Sequence, residues 1–375
     1  MVNKNNDNKN NDNKNTEDKF IATLVLYSLG DTIGFKNGVW ASKYNRKIIT
    51  LNVIHELLYE FIDLGGINGI NLNEWTVSIN TLIHMATCYA LLEEGDFIKE
   101  VRELYKGVLA YISREKIFRG ISPNLKNSLL KLATKNIDAT QEEYNPQSYD
   151  NICSIRTLVL GLAYAEKNNR INLIDQSIKC GLITNSSPIG FLGGLTSALF
   201  VAFAIENVEI NKWPFLLMDI LGSEHVLKYI NDQTEADYDK YLLNWNKYIE
   251  LKFQNDTNLK IKSNSNIMYR SKFYYDNFTD EKTYFVIGLS GYSSVIMAYD
   301  CLIDSTGNWE KLIIYSALHF GDTHSVGSIA GGLYGAYYGW GDVPNDNIKY
   351  LEFKDKNYEL GKNIYKKYFS QKNHK

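Results

Sequence analysis

Proline is scarce in this chain, with five in 375 residues, and cysteine is scarcer still, with four. The thiols Cys88, Cys153, Cys180 and Cys301 are widely scattered and form no Cys-x-x-Cys pair. That spacing gives no zinc ribbon and no dithiol redox motif, and it predicts buried free thiols in a reducing compartment. An excess of one charge is also missing. Forty Lys and Arg face forty-three Asp and Glu, a net charge of −3, so no bulk field draws nucleic acid or an anionic membrane. The opening "MVNKNNDNKNNDNKNTEDK" is polar throughout and lacks the apolar core of a secretory signal. The longest nearly uncharged helical stretch we read is 325–341, short of the ~20 apolar residues of a membrane span. The expectation is a soluble, cytoplasmic protein with neither nucleic acid nor membrane as a partner. The few prolines, beside abundant Asn, Ile, Lys and Tyr, fit an AT-rich coding sequence and carry no functional meaning.

Internal punctuation is missing too. No Pro- or Gly-rich linker divides the chain after residue 20, and no repeat of 20 to 50 residues is visible. Residues 1–17 form an Asn/Lys/Asp tract with nothing apolar to bury, so a disordered tail is expected there. The rest, 18–375, reads as one domain. With 45% hydrophobic residues it can fill a large core.

The pattern in that core is helical. "TLIHMATCYALLEEG" sets Leu82, Met85, Ala86 and Tyr89 on one face and closes at Gly95. "SIRTLVLGLAYAEK" repeats the spacing with Ile155, Leu158, Val159 and Leu162. "NSSPIGFLGGLTSALFVAFAI" offers Asn or Ser as a cap, with Pro188 suited to a first turn. Residues 254–284 read as a long surface excursion. Alternating runs are few, so the fold class is all-α. Near the end, Gly327, Gly331, Gly335 and Gly339 recur every fourth residue. Each costs about 1 kcal/mol relative to Ala inside a helix, and close approach of a neighbouring helix is the expected compensation. Gly193 and Gly194 follow the same logic.

Familiar chemistry is largely absent. There is no Gly-x-x-x-x-Gly-Lys phosphate loop and no His-Glu-x-x-His zinc motif, and the aromatics form no visible stacking platform for single strands. His55 and His84 lie in helical segments and read as structural. His319 reads as a capping or packing residue just before "GDTHS".

Six segments occur in order: "GDTIGF", "WTVSINTLIHMAT", "RTLVLGLAY", "TNSSPIGFLGGLTSALFVAFAI", "MAYDCL" and "HFGDTHSVGSIAGGLYGAYYGW". Together, over about residues 20–365, they resemble the ADP-ribosylglycohydrolase family, nearest its ADP-ribosylarginine hydrolase branch. The resemblance implies a compact helical domain whose active members hold two magnesium ions and hydrolyse the N-glycosidic bond between ADP-ribose and an arginine side chain. It implies ADP-ribose or an ADP-ribosylated protein as partner. Oligomeric state stays open.

Carried over residue by residue, the resemblance also implies a depleted centre. The first metal motif, Ser-Asp-Asp-Thr, is here Ser78-Ile79-Asn80-Thr81. Ile79 cannot ligate. Asn80 offers a neutral carbonyl and cannot be a general base near neutral pH. The second, Gly-Asp-Ser-Asp-Ser, is Gly321-Asp322-Thr323-His324-Ser325. The metal positions left are Ser78, Thr81, Asp322 and Ser325, while Ile79, Asn80 and His324 stand where aspartates would. The ligand loops differ as well. Gly-Gly-Cys-Gly is replaced by Tyr149-Asp150-Asn151-Ile152, ahead of Arg156. Thr-His-His-His-Pro is Thr184-Asn185-Ser186-Ser187-Pro188, and Gly-His-Asp-Ala-Pro is Gly291-Tyr292-Ser293-Ser294-Val295. Asp150, Asn151, Asn185 and Tyr292 are the candidate substrate positions. Three readings follow: a binding scaffold with impaired catalysis, a hydrolase of ADP-ribosylated arginine with altered metal use, or a purely structural protein. In the second, Asp322 and His324 would hold a single transition-metal ion in place of Mg²⁺.

Overall fold

The row of glycines near the carboxyl end finds its partner in the first helix of the chain. The computed structural model describes residues 3–41, 51–134, 143–253, 266–281 and 286–370. Among them are nineteen α-helices and no named strand, as the all-α reading expects. The first helix, Asn3–Phe35, lies against the glycine helix, Thr323–Tyr338. A Cβ at Gly327 would come within 2.6 Å of the Gly30 carbonyl oxygen, and one at Gly335 within 2.5 Å of the Ala22 backbone. Gly30 and Gly34 answer from the other side, each facing backbone of the glycine helix. Two helices in backbone contact are the compensation that the glycine spacing calls for. Gly339 departs from the row: its φ of +66° closes the helix, where a glycine is favoured for its conformational freedom.

The central helix, Pro188–Ile205, is buried along its whole length. It, rather than 325–341, is the longest uncharged helix, and it is long and apolar enough to cross a membrane by composition alone. Here it is the core helix. Ser187 caps it, accepting from the Ile189 amide at 3.3 Å, with Pro188 in the first turn. Gly193 and Gly194 let Gly291 and Cys153 approach its backbone.

Arg156 holds the core from the side. It is fully buried, and its guanidinium donates to the carbonyls of Cys180 (2.9 Å) and Gly181 (3.2 Å) at the end of the helix Arg170–Leu182. A cation at a helix carboxyl end complements the orphan carbonyls and the dipole.

Two segments differ from their sequence reading. From Asn3 onward the Asn/Lys/Asp tract is the outward continuation of the first helix, while residues 1–2 lie outside the described residues. Propagation from the packed segment adds one hydrogen bond per residue fixed. Of the 254–284 excursion, 254–265 and 282–284 lie outside the described residues. The part between them contains a helix, Ile267–Phe278, tied to the core by charge. Arg270 and Lys252 meet Asp300 and Asp304 in a buried square. Arg270 lies 2.7 Å from Asp300 and 2.6 Å from Asp304, and Lys252 lies 2.6 and 2.8 Å from the same pair. Burial alone would raise the Asp300 carboxyl, but the two cations hold it well below its ordinary range.

Candidate functional site

The helix pair sets one wall of a cleft. Contact between Gly30, Gly34 and the glycine helix brings Asp31 beside the turn 321–325, and Thr323 Oγ1 pins that turn by donating to the Gly34 carbonyl at 2.7 Å. Asp31 is fully buried. It gathers the Ser78 segment: Oδ1 accepts from Ser78 Oγ at 2.5 Å, and Oδ2 accepts from Ser78 N at 3.0 Å and Thr81 Oγ1 at 2.6 Å. Burial raises the Asp31 carboxyl, opposed by the nearby His324 imidazole and by the hydrogen bonds from Ser78 and Thr81. Ser78 at the same time caps the helix Ile79–Leu92, accepting from Asn80 N at 3.0 Å.

The second motif is also a cap. Asp322 precedes the glycine helix, and its Oδ1 accepts from Ser325 N at 3.2 Å and lies 3.1 Å from His324 Nδ1. Its Oδ2 accepts from Asn151 Nδ2 at 2.7 Å. Asn80 Nδ2 closes the ring between the two motifs by donating to Ser325 Oγ at 3.1 Å. His319 accepts from the Gly321 amide through Nδ1 at 2.9 Å, a contact within the turn. His84 is buried and stacked on Tyr27 at 4.0 Å. His55 is exposed.

The third wall is the 149–152 loop, fixed by a bridge between Asp150 and Ser290. Asn151 N donates to the Leu289 carbonyl at 2.9 Å, and Gly291 N to Tyr149 at 3.0 Å. The Asp150 carboxylate accepts from Asn185 at 2.7 Å and Asn124 at 3.0 Å. Burial raises its pKa, against those two hydrogen bonds.

These walls enclose a cavity of about 470 Å³. Of the sequence candidates, Ile79, Asn80, Asp150, Asn151, Asp322, His324 and Ser325 line it. Ser78 and Thr81 stand behind, turned to Asp31. Asn185 supports Asp150 from behind the lining, and Tyr292 is buried with its ring 6.5 Å from that of Tyr241, away from the lining. Two participants escaped the sequence reading. Asp31 was visible only inside "GDTIGF", with no spacing to tie it to Ser78. Asn124 lines the cavity from the helix Pro123–Thr134, which carries no motif. Among the described residues, no three His, Cys, Asp or Glu side chains converge as metal ligands do.

Comparison with known proteins agrees with this architecture. The sequence profile of the family described as ADP-ribosylglycohydrolase matches residues 12–374. A Dictyostelium discoideum protein named ADP-ribosylhydrolase ARH1 is 31% identical over 361 residues, covering 88% of this chain and 89% of its own length. An Acanthamoeba polyphaga mimivirus protein, provisionally named an ADP-ribosyl glycohydrolase, is 32% identical over 333 residues. That match covers 84% of this chain but 63% of the viral protein, so the chain spans less than two thirds of that relative. A solved structure titled ADP-ribosylglycohydrolase-related protein complex superposes with a TM-score of 0.58 over 94% of this chain and 99% of its own. At 13% identity it speaks for the fold alone.

Proposed function

Because the chain belongs to the ADP-ribosylglycohydrolase family, we propose that it is a binding scaffold of that family, which holds an ADP-ribosylated arginine partner and does not hydrolyse it through a pair of magnesium ions. One observation carries the reading: the groups left at the two metal motifs are bonded to one another. Asn80 bonds Ser325, and Asp322 is shared by Asn151, His324 and the Ser325 amide, while Ser78 and Thr81 turn their hydroxyls to Asp31.

Magnesium asks for near-octahedral oxygen ligands at about 2.0–2.1 Å. Ile79 supplies no donor, Asn80 supplies no charge, and Asp322 is the single carboxylate at the four aspartate positions. These residues do not fit a magnesium pair. Each lost ligand weakens affinity about 10- to 100-fold by analogy with outer-shell changes, so three losses cost at least ~10³-fold.

The test is turnover. The full chain is incubated with ADP-ribosylated arginine and Mg²⁺ or Mn²⁺. No release of ADP-ribose above the blank is expected, and clear turnover replaces the scaffold by a hydrolase with altered metal use. Melting with ADP-ribose in the absence of metal checks binding, and a flat response up to millimolar ligand would leave a purely structural protein. Restoring Ile79→Asp, Asn80→Asp and His324→Asp together should let magnesium raise the melting temperature, which the parent chain should not show.

A further inference from the structure

A second cavity, of about 400 Å³, opens over Val25 where the end of the glycine helix, the short helix Asn345–Lys349 and the start of the helix Lys354–Tyr368 meet. It shares no lining residue with the cleft. Asp322 stands before the glycine helix and Trp340 after it, so the 16 residues of that helix put about 24 Å between the two. We infer that this second cavity binds a small phosphate ester carrying a planar ring.

Charge is the first reason. Lys349 and Lys354 both line the cavity, and among the described residues no aspartate or glutamate does. In a chain with a net charge of only −3, that is a local excess of positive charge. Lys354 Nζ lies 3.9 Å from the Asp355 carboxylate, but Asp355 is 95% exposed, and water screens the pair. Lys349 Nζ lies 5.0 Å from the centroid of the Tyr350 ring and pairs with no carboxylate among the described residues.

Ring surface is the second reason. Trp340 and Tyr358 line the same cavity, beside the buried Val25. Aromatic faces next to two ammonium groups suit a ligand whose ring can stack and whose charge is negative. A cation would be repelled, and a bare anion would leave the aromatic wall wet.

The lysines stand on an anchored backbone. Glu352, between them in the chain, accepts from Arg119 at 2.7 and 2.9 Å and from the Val77 amide at 2.9 Å. Asn347 is buried in the short helix and donates to the Ile67 and Ile70 carbonyls at 2.8 and 3.1 Å. The backbone is therefore set before a ligand arrives, and only the lysine stems have to be ordered on binding.

Phenyl phosphate, inorganic phosphate and phenol are titrated separately into the full chain and followed by calorimetry. Phenyl phosphate should bind roughly tenfold more tightly than either fragment, because ring and charge each meet their own wall. Lys349→Gln combined with Lys354→Gln should weaken it roughly tenfold, and added salt should do the same in the parent. Trp340→Leu should weaken it by a similar factor. Both lysines are largely exposed, so their variant tests the site even where Trp340→Leu lowers the melting temperature. Phenyl phosphate binding no better than phosphate overturns the inference. So does a lysine variant that binds as the parent does, since the ligand then sits elsewhere. Uridine monophosphate and free phosphotyrosine, as further probes, tell a nucleotide from an amino-acid ester as the source, and the inference fails if neither exceeds phosphate.

Discussion

Ser78 Oγ lies 2.5 Å from Asp31 Oδ1, and that contact joins two segments 47 residues apart at the base of the cleft. Ser78 bonds in two directions at once: its proton goes to Asp31 and one of its two lone pairs to Asn80 N. Replacing Asp31 by alanine should leave Ser78 and Thr81 without their acceptor and open space beneath the helix Ile79–Leu92. The expected loss is about 1–3 kcal/mol for each buried polar group left unsatisfied. Urea unfolding reads it. A variant as stable as the parent would show that Asp31 does not anchor the motif.

Two buried histidines make the fold sensitive to acid. Burial lowers His84 from its ordinary 6.5 to about 3 and, against a pull upward from Asp322, His319 to about 4. Both are neutral when folded and take up protons when unfolded. Their contribution to stability is present above pH 6.5 and is lost as pH falls from there through about 4 and 3. Asp31 and Asp150 act the other way: their raised values favour the fold below the ordinary carboxylate value of 3.8 and withdraw that support as pH rises through the folded values. A variant isolates one contribution. His84→Phe keeps a ring on Tyr27 and removes an imidazole whose Nε2 has no partner, so its melting temperature should fall less between pH 6.5 and 4 than the parent's. Parallel curves would exclude His84 as a source of acid lability.

The helix pair predicts opposite outcomes for one kind of substitution. A Cβ at Gly331 would strike the Leu26 carbonyl, with the carbonyl carbon 2.9 Å away. Backbone cannot step aside as a side chain can, so Gly331→Ala should cost at least ~2 kcal/mol. Gly107 is exposed on the helix Phe97–Arg114, and a Cβ placed there would meet nothing within 4 Å. Gly107→Ala should instead gain up to about 1 kcal/mol. Thermal melting of the two variants side by side decides it.

The buried square gives the largest single effect. Asp304 faces Lys252 at 2.8 Å and Arg270 at 2.6 Å. Asp304→Asn removes half of the negative charge and leaves a buried cation short of a partner, which costs about 3–5 kcal/mol. Proteolysis should then cut first near the helix Ile267–Phe278, because that helix reaches the core through Arg270. Unchanged cleavage and stability would mean that the square is not what holds the helix.

The readable parts of this protein were those carried by neighbours in the chain. Ser187 before Pro188 marks a helix start, and the spacing of Gly327, Gly331 and Gly335 marks a face that another backbone approaches. Gly339 has the same spacing but ends the helix, since period alone does not say where a helix stops. Asp300 and Asp304, one turn apart on a buried helix, carried no signal in the sequence because nothing nearby in the chain pairs them. Lys252 answers from just before the stretch that reads as surface, and Arg270 from within it.

The order of residues alone was enough to determine the helical class and the helix start at Ser187–Pro188, because each depends on contacts within a turn or two. Only folding decided that Asp31 would take the Ser78 and Thr81 hydroxyls, that Asn151 would reach Asp322, and that Asp150 and Asp322 would line one cleft. Those relations depend on how helices distant in the chain pack, and a hydrogen bond exists only where packing sets donor and acceptor about 3 Å apart.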